Sequence, residues 1–321
     1  MSVGQSTAGL AVLEREAGYT STWGRRWHGV VRFFRTKPLG TIGAVLMLIL
    51  IVCAIFAGQI APSGYDHRVI ADRTQAPSAK HWLGTDEQGR DELSRIIYGA
   101  RVSVTVGFGA IAIATVISST IGMVSGFFGG WLDTVIQRFI DMWIAFPALI
   151  LLLAAQAAFK TPTGNAHWGP FVLQPSQQRT AEIILILGVL FSPGGSRVIR
   201  GAALSVRNNL YVEGARTIGA SNVRILRSYI LPNVLPTIIV LATLQLGAAI
   251  LAEATLSFLG FGVPDPIPSW GRMLAGIAQA RIRTDPWLSI WPGLAISLTV
   301  YGFNMFGDAL RDVLDPRLRG S

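Results

Sequence analysis

The chain has 321 residues, of which 51% are hydrophobic and only 14% are charged, and its mean hydropathy is +0.48. This composition leaves too little polar surface for a soluble globular protein of that length, so it predicts a helical protein that crosses a membrane several times. The formal charge of +9 does not indicate a nucleic-acid-binding protein, because the arginines are spread between apolar segments instead of forming one stripe. The single cysteine, Cys53, lies in an apolar run, which excludes a disulfide framework and a cysteine metal cluster.

The chain opens with a basic tail and a first membrane span. Residues 1–37 are polar and end in a cluster of arginines and a lysine, whereas residues 39–60 carry no charge. An apolar run of this length crosses a bilayer core of about 30 Å as a helix, and both segments are too long for a secretory signal. We therefore predict a cytoplasmic tail over 1–37, followed by a retained transmembrane helix over 38–60.

Residues 61–101 are polar and balanced in charge, which favours an external location. Four acids in this segment permit two interpretations, namely a divalent-metal site or a solvated elbow. Their spacing does not force their oxygens together, so we favour an elbow in which Asp86 and Asp91 cap a helix or pair with Arg90 and Arg95. The four acids are Asp86, Glu87, Asp91 and Glu92.

The second and third spans are predicted over 102–128 and from Gly129 to about Phe159. The second is rich in Ala, Ser and Gly, which favours close helix packing inside lipid. Pro147 predicts a kink in the third span, because proline removes a backbone donor, and the kink is either a gating element or a proline tolerated in a packed bundle. Asp141 lies in the same span, and we count Asp141 and Pro147 among the candidate translocation-pathway residues.

The fourth span is the weakest by hydropathy. Residues 160–179 read as an external loop, and the apolar run over 183–191 is short, since Ser192-Pro193-Gly194-Gly195 contains residues that disrupt helices. The segment that follows carries six arginines against one acid, Glu213, and the positive-inside rule places it in the cytoplasm. Because the loop before it is external and the segment after it is cytoplasmic, the fourth span must cross the membrane. The six arginines are Arg197, Arg200, Arg207, Arg216, Arg224 and Arg227.

The fifth span, 234–259, contains an ionisable residue, Glu253. Such a group faces a pathway or makes a structural hydrogen bond, and near the predicted outer end it snorkels at reduced cost. We count Glu253 and Ser257 as candidate pathway residues. An external loop over 261–287 follows, in which the prolines of the run 264–268, together with Trp270 and Trp287, predict a rigid, partly interfacial scoop. The last span is 288–306, and a basic tail over 311–321 suits the cytoplasm, so six spans with both termini inside are expected.

Between the fourth and fifth spans lies the segment that we expect to organise the function, YVEGARTIGASNVRILRSYILPN over 211–233. Its apolar residues recur at three-, four- and seven-residue steps, which predicts two short amphipathic helices. The break falls at 219–222, where Gly219 suits a helix end and Ser221 or Asn222 suits the next helix start. Pro232 and Pro236 then stop the second helix or start the next one.

At Glu213, Ala215, Gly219 and Leu231-Pro232 this segment resembles the cytoplasmic loop of the inner-membrane permease subunits of ATP-binding-cassette importers. Gly214 departs from the family, which usually has Ala there. The stretches HWLGTDEQGRDELSRIIYGARVS and ALRDVLDPRLRG resemble the C-type permeases for dipeptides and oligopeptides. The resemblance implies an all-α, type I importer permease fold, with a permease core of five helices over 102–310 and a coupling loop over about 200–233.

The resemblance also implies the partners and the mechanism. Two ATPase subunits carry ATP and Mg, and a groove on one of them holds the short helix at about 209–219. A second homologous permease, an external substrate-binding protein and membrane lipid complete the assembly. Arg216 and Arg224 pair with acids of the ATPase or contact anionic lipid. The implied coupling residues are Tyr211, Glu213, Gly214, Ala215, Arg216, Gly219, Ala220 and Arg224.

The sequence shows no phosphate-binding Gly-x-x-x-x-Gly-Lys loop and no Ser-His-Asp or zinc-enzyme arrangement, so we expect no catalytic residue, metal or directly bound cofactor. Peptides are the preferred cargo, and nickel complexes, glutathione and oligosaccharides are alternatives. An ATP-independent channel or secondary carrier is the alternative of a different class. The expected location is the bacterial cytoplasmic (inner) membrane.

Overall fold

The computed structural model describes residues 37–159, 164–168 and 171–314. Nearly all of the predicted N-terminal tail, 1–37, and most of the C-terminal tail, 311–321, lie outside these residues. The described chain consists of helices joined by loops, together with one two-stranded antiparallel sheet that the sequence did not predict. The all-α expectation is otherwise confirmed.

Eleven helices and two short strands are numbered here in chain order within the described residues. A 3₁₀ turn lies at Ile70–Asp72, and a π-helical turn at Leu226–Ile230 joins α7 to α8. Strand β1 is Ala166–Trp168 and strand β2 is Phe171–Leu173. The helices are α1 Pro38–Ile60, α2 Glu92–Phe128, α3 Gly130–Ala145, α4 Ala148–Ala158, α5 Pro175–Arg207, α6 Leu210–Thr217, α7 Asn222–Ile225, α8 Leu231–Phe258, α9 Trp270–Leu274, α10 Ile277–Ala280 and α11 Trp287–Leu314.

Several of these helices are long and apolar enough to cross a membrane. In the described part of the chain four qualify, namely α1, α2, α5 and the continuous run Asn222–Phe258, and the bent pair α3 and α4 makes a fifth if it is one span. Helix α11 has 28 residues and packs against α1 and α8, but Trp, Pro and Asn residues lower its hydropathy. The sixth crossing, by α11, therefore stays a prediction.

Helix α2 begins ten residues before the predicted second span. The Asp91 side chain accepts hydrogen bonds from the Ser94 backbone N–H and from the Ser94 hydroxyl, both at 2.8 Å, and so caps the helix at Glu92. The first turns carry charged residues, and hydropathy alone assigns such turns to a loop. The alternative in which Asp91 caps a helix is confirmed.

Helices α2 and α5 pack along each other through small residues. A Cβ atom added at Gly188 would lie 2.7 Å from the Ile113 Cβ, and one added at Gly122 would lie 2.6 Å from the Ser196 carbonyl oxygen. The two backbones therefore approach as closely as glycine allows, which is the packing mode expected inside lipid. The prediction of close packing by the second span is confirmed.

Helix α5 is continuous, so the predicted break at residues 192–195 is wrong. Pro193 has no backbone N–H for the carbonyl of Val189, four residues earlier. The Ser192 hydroxyl donates to that carbonyl at 2.8 Å. The neighbouring Gly195 packs against Ser118 of α2, where tertiary contact outweighs the low helix propensity of glycine. The helix thus runs from Pro175 to Arg207 without interruption.

The kink predicted at Pro147 is confirmed as a complete break. Helices α3 and α4 meet there at 88°, and Phe146 is extended, as expected for a residue before proline. Helix α3 is joined to α5 by two ion pairs, Asp133 with Arg200 and Asp141 with Arg197. The bend therefore sits beside α5 and is fixed to it by charge.

The prolines after the Arg-rich segment do not separate two helices. The π-helical turn bonds the Leu231 N–H to the Leu226 carbonyl, and Pro232 follows in the first turn of α8. A missing N–H costs little at this junction, because the hydrogen-bonding pattern changes there. The alternative that Pro232 starts the next helix fits the structure, whereas Pro236 lies inside α8 and stops nothing.

Candidate functional site

The inner end of the bundle is the end where α5 finishes at Arg207, and residues 208–230 form a loop across it, named here the inner loop. It contains the two short helices that the periodicity predicted, α6 and α7. Val212 and Ala215 of α6 are buried in a cluster with Phe127 of α2 and Ile199 of α5. One face of α6 is therefore anchored to the ends of two long helices.

The turn between α6 and α7 has a defined geometry. Gly219 has φ +78°, its N–H donates to the Arg216 carbonyl at 2.9 Å, and the Ala220 N–H donates to the Ala215 carbonyl at 3.0 Å. This pair of bonds is a Schellman motif, which ends a helix with a left-handed residue. The Ser221 side chain then accepts a hydrogen bond from the Arg224 N–H and caps α7. The predicted helix end at Gly219 and helix start at Ser221 are confirmed.

The opposite face of the inner loop is open and has a mixed character. Leu210, Ile218 and Val223 are 84%, 81% and 73% exposed, which is unusual for large apolar side chains. The side chains of Glu213 and Arg224 are exposed and make no hydrogen bond or ion pair with any described residue. Unused charges beside exposed apolar groups are the composition of a protein-binding surface.

The predicted coupling residues divide between these two faces. Ala215 is buried and Ala220 half-buried, so both support the loop. Arg216 lies with its guanidinium carbon 5.2 Å from the centre of the Phe127 ring, which holds it by a cation–π contact. The exposed members of the set are Tyr211, Glu213, Gly214, Arg216, Gly219 and Arg224.

At the opposite end, called the outer end, a cavity of about 370 Å³ opens between the start of α2, the end of α8 and the loop that follows α8. Asp86 accepts a hydrogen bond from the Arg90 Nε at 2.6 Å and lies 3.7 Å from the Arg95 Nε. The predicted pairing of Asp86 with these arginines is confirmed. The charged residues that line the cavity are Asp86, Glu87, Arg90, Glu92, Arg95, Asp265 and Arg272.

The loop side of this outer cavity was missed by sequence reasoning. Asp265 accepts hydrogen bonds from Arg272 at 3.2 and 2.9 Å, and although burial opposes the shift, this arginine lowers the pKa of Asp265. Burial and the nearby Asp86 raise the pKa of Glu87. The only sequence signal was an acid and an arginine seven residues apart across a proline-rich loop.

Glu253 is fully buried, so the expectation that it snorkels toward the outer surface is wrong. Its Oε1 accepts a hydrogen bond from the Ser257 hydroxyl at 2.6 Å, and its Oε2 has no partner among the described residues. Ser257 lines the outer cavity, and Glu253 lies one helical turn deeper on α8. The structural hydrogen bond is therefore present, and the carboxylate lies below the cavity floor.

The external-loop interpretation expected Trp270 at the membrane interface, and this expectation is wrong. Its indole is 3% exposed, and its N–H donates to the Ile96 carbonyl of α2 at 2.9 Å. Gly99 makes room for the ring, since an added Cβ would lie 2.8 Å from it. Trp270 instead fixes α9 against α2 and closes one side of the outer end.

The two other candidate pathway residues, Asp141 and Pro147, are exposed at the α3–α4 bend and do not line the outer cavity. The structure thus brings Glu253 and Ser257 together and leaves Asp141 and Pro147 apart from them. Among the described residues, no group of three or more His, Cys, Asp or Glu side chains is placed to hold a metal ion.

The fold and the inner loop define a helical membrane subunit built for transport. Two family models match the chain: binding-protein-dependent transport system inner membrane component over residues 118–320, and N-terminal TM domain of oligopeptide transport permease C over residues 25–77. The chain belongs to this family of inner-membrane permeases, and it is a permease subunit of an ATP-binding-cassette importer with a transport role and not a catalytic one.

Curated relatives cover nearly the whole chain. The dipeptide transport system permease protein of Alkalihalophilus pseudofirmus is 39% identical over 293 residues, which are 91% of this chain and 90% of that protein. The glutathione transport system permease proteins of Escherichia coli and Shigella sonnei are 36% identical over 295 residues, 92% of this chain and 91% of theirs.

Proposed function

We propose that this chain forms one half of a translocation pathway for peptides and receives its driving force from a pair of ATPase subunits, one of which docks on the inner loop. The open face of that loop is the observation that carries the proposal. It combines exposed Leu210, Ile218 and Val223 with the charges of Glu213 and Arg224, which pair with no residue that the structure describes. In this assignment ATP and Mg are bound by the ATPases, and displacement of α6 moves the long helices to which it is anchored.

The proposed orientation places the inner loop in the cytoplasm. Six arginines against one acid between Arg197 and Arg227 support this side by the positive-inside rule. Lys37 at the start of α1 and Asp312 near the end of α11 form an ion pair of 2.6 Å. The first and last parts of the described chain therefore lie on the same side of the bundle. We therefore assign both termini to the cytoplasm and the protein to the bacterial inner membrane.

The second homologous permease is assigned to the bent pair α3 and α4. Large apolar side chains there are exposed over both helices, and two acids of α3, Asp133 and Asp141, already form ion pairs with α5. A face that is apolar and held rigid suits a helix–helix interface, and lipid covers what the second permease leaves. The exposed residues include Trp131, Phe139, Met142, Phe146 and Ile150.

The proposed cargo is a dipeptide or a short oligopeptide, delivered by an external binding protein. The two kinds of curated relative are named for dipeptide and glutathione transport. Both of those molecules are peptides with free amino and carboxylate groups. A polar outer cavity that carries both signs of charge is compatible with such a cargo.

The decisive experiment is reconstitution. The chain is coexpressed with a second permease, ATPases and a binding protein of the same importer class, purified, and placed in proteoliposomes with dipeptides. We expect copurification of a second permease and ATPases, together with ATP hydrolysis that the loaded binding protein stimulates. Glu213→Gln should reduce this stimulation by at least about tenfold, because a docking charge with no internal partner is lost.

The matched control is Asp308→Asn, an exposed acid of α11 outside the inner loop, which should leave the stimulation unchanged. Import that proceeds without ATP would contradict the proposal and favour a secondary carrier. A binding protein that holds oligosaccharides or nickel complexes and no peptides would overturn the cargo assignment alone. Labelling of Arg224→Cys from outside the cell would overturn the orientation.

A further inference from the structure

The outer cavity contains charged groups that its own structure does not satisfy. Arg90 and Arg95 are 5% and 4% exposed, and the Nη1 atom of each has no hydrogen-bond partner among the described residues. The Arg90 Nη1 lies 3.8 Å from the Asp66 carboxylate, beyond hydrogen-bond distance. Buried guanidinium groups normally use their donors, so the unused ones indicate an acceptor that binds from the cavity.

Pairing within the cavity leaves one arginine with little compensation. Asp86 is engaged by Arg90 at 2.6 Å, and Asp265 is engaged by Arg272 at 2.9 Å. Within the described part of the chain, the one ion pair of Arg95 is the contact of 3.7 Å with Asp86, which Arg90 already occupies. Arg95 is therefore the arginine best placed to receive an added carboxylate.

Unsatisfied acceptors line the same cavity. The Oε2 of Glu87 and the Oε1 of Gln88 are buried atoms without a hydrogen-bond partner among the described residues. Glu92 is 2% exposed, and its carboxylate makes no hydrogen bond or ion pair within the described part of the chain. Buried carboxylate oxygens of this kind call for a donor, and an ammonium group supplies up to three.

The cavity is also of a suitable size and position. A volume of about 370 Å³ falls in the range of about 300–1,000 Å³ that is usual for small-molecule sites. Ser257 contributes to its lining, and the buried Glu253 lies one turn below on α8. A molecule bound in this cavity thus lies at the outer end of α8, the helix that runs from there to the inner end.

We propose that the outer cavity is a binding site of this permease chain for a small zwitterion, with its carboxylate on Arg95 and its ammonium group on Glu87 and Glu92. This inference rests on the proposed function, because a peptide in transit has this chemistry, and it deepens that function by placing selectivity for the two peptide termini in the permease itself. Selection is then made twice, once by the binding protein and once at this cavity.

The test measures binding to the purified transporter complex in nanodiscs, without binding protein and without ATP. Equilibrium dialysis is performed with radiolabelled Ala-Ala, its C-terminal amide and its N-acetyl derivative at millimolar concentrations. We expect Ala-Ala to bind at least about tenfold more tightly than either derivative, because each derivative leaves one set of buried charges unsatisfied. Equal binding of the three compounds, or no binding of Ala-Ala, overturns the proposal.

Two variants assign the termini to residues. Arg95→Met should abolish the preference for Ala-Ala over its amide, and Glu87→Gln should weaken the preference over the N-acetyl derivative. Arg283→Met is the matched control, since Arg283 is exposed at the same end and does not line the cavity. If Arg95→Met still prefers Ala-Ala over its amide and Glu87→Gln still prefers Ala-Ala over the N-acetyl derivative, the assignment of the peptide termini to these residues is overturned. If Arg95→Met fails to assemble, as judged by size exclusion, the proposal is still tested by comparing the binding of the three compounds to the unmodified complex.

Failure of this inference is distinguishable from failure of the proposed function. The same complex is reconstituted with ATP and the loaded binding protein. ATP-driven import combined with no discrimination at the cavity rejects the cavity site alone. Absence of ATP-driven import rejects the transport assignment, whatever the cavity binds.

Discussion

The two ends of this bundle treat charged residues in opposite ways. At the outer end, Asp86, Arg90 and Arg95 are buried and contact one another. At the inner loop, Glu213 and Arg224 are exposed and have no partner in the part of the chain that the structure describes, and they lie beside apolar side chains that are also exposed. Most charged groups of the outer end pair with one another inside the chain, whereas the open face of the inner loop presents charges that have no partner among the described residues. The comparison separates a buried charged cluster that is largely paired within the subunit from a surface whose charges face outward.

The largest expected effect is on stability at the outer end. Asp86→Ala removes the acid that contacts two buried guanidinium groups, and the loss should cost about 3–5 kcal/mol of unfolding free energy. Denaturant unfolding in detergent measures it. Asp312→Ala breaks an exposed ion pair with Lys37 and should cost less than about 1 kcal/mol. Similar losses in the two variants would remove the distinction between the ends.

The next effect is on assembly at the inner loop. Ile218→Ser should leave the stability of the isolated subunit within about 0.5 kcal/mol, because the side chain is exposed. It should weaken retention of the ATPase by about tenfold or more, since burial of an isoleucine is worth about 1.5–3 kcal/mol. Copurification at graded dilution provides the measurement. Ile282→Ser, at an exposed position of the outer end, serves as the control, and an equal loss there would refute the prediction.

A smaller effect is expected at the turn of the inner loop. Gly219→Ala should destabilise the loop by about 1–2 kcal/mol, because φ is +78° and alanine avoids this region. No atom lies within 4 Å of an added Cβ, so the cost comes from the backbone alone. Gly219→Asn should cost less, since asparagine tolerates the left-handed conformation. Hydrogen exchange of α6 reports the difference, and identical exchange in both variants would argue against it.

The smallest effect has the opposite sign. Gly214→Ala should stabilise α6 by up to about 1 kcal/mol, because it improves helix propensity at an exposed position with open space around it. The same exchange assay on α6 measures the gain. Faster exchange of α6 in Gly214→Ala would mean that alanine destabilises the helix, which would contradict the prediction.

The sequence was sufficient where one local rule decided the structure. Helix α6 followed from apolar spacing, its end from Gly219, and the α3–α4 bend from Pro147. Each feature depends on backbone preferences within a few residues, which a single chain displays directly.

The sequence was insufficient where distant groups decided. Pro193 is tolerated inside a helix because the Ser192 hydroxyl donates a hydrogen bond to the Val189 carbonyl, which has no backbone donor, and because α2 packs against the same stretch. Glu253 is buried because Ser257 and the packed loop enclose it, not because of its distance from a span end. The pairing of Asp265 with Arg272 also depends on how a loop folds back. Hydropathy counts residues along the chain and contains no information on such contacts.

The uninterrupted course of α5 has a mechanical consequence. Its 33 residues span about 50 Å at 1.5 Å per residue, from beside the outer end to the start of the inner loop. Close contacts join α5 to α2 through Gly188 and Gly195 of α5 and through Gly122 and Gly126 of α2, so the two helices pack as one unit from the middle of α5 to near its inner end. In the proposed coupling, a displacement of α6 at the inner end of α5 therefore moves α5 and α2 together, and the start of α2 lines the outer cavity.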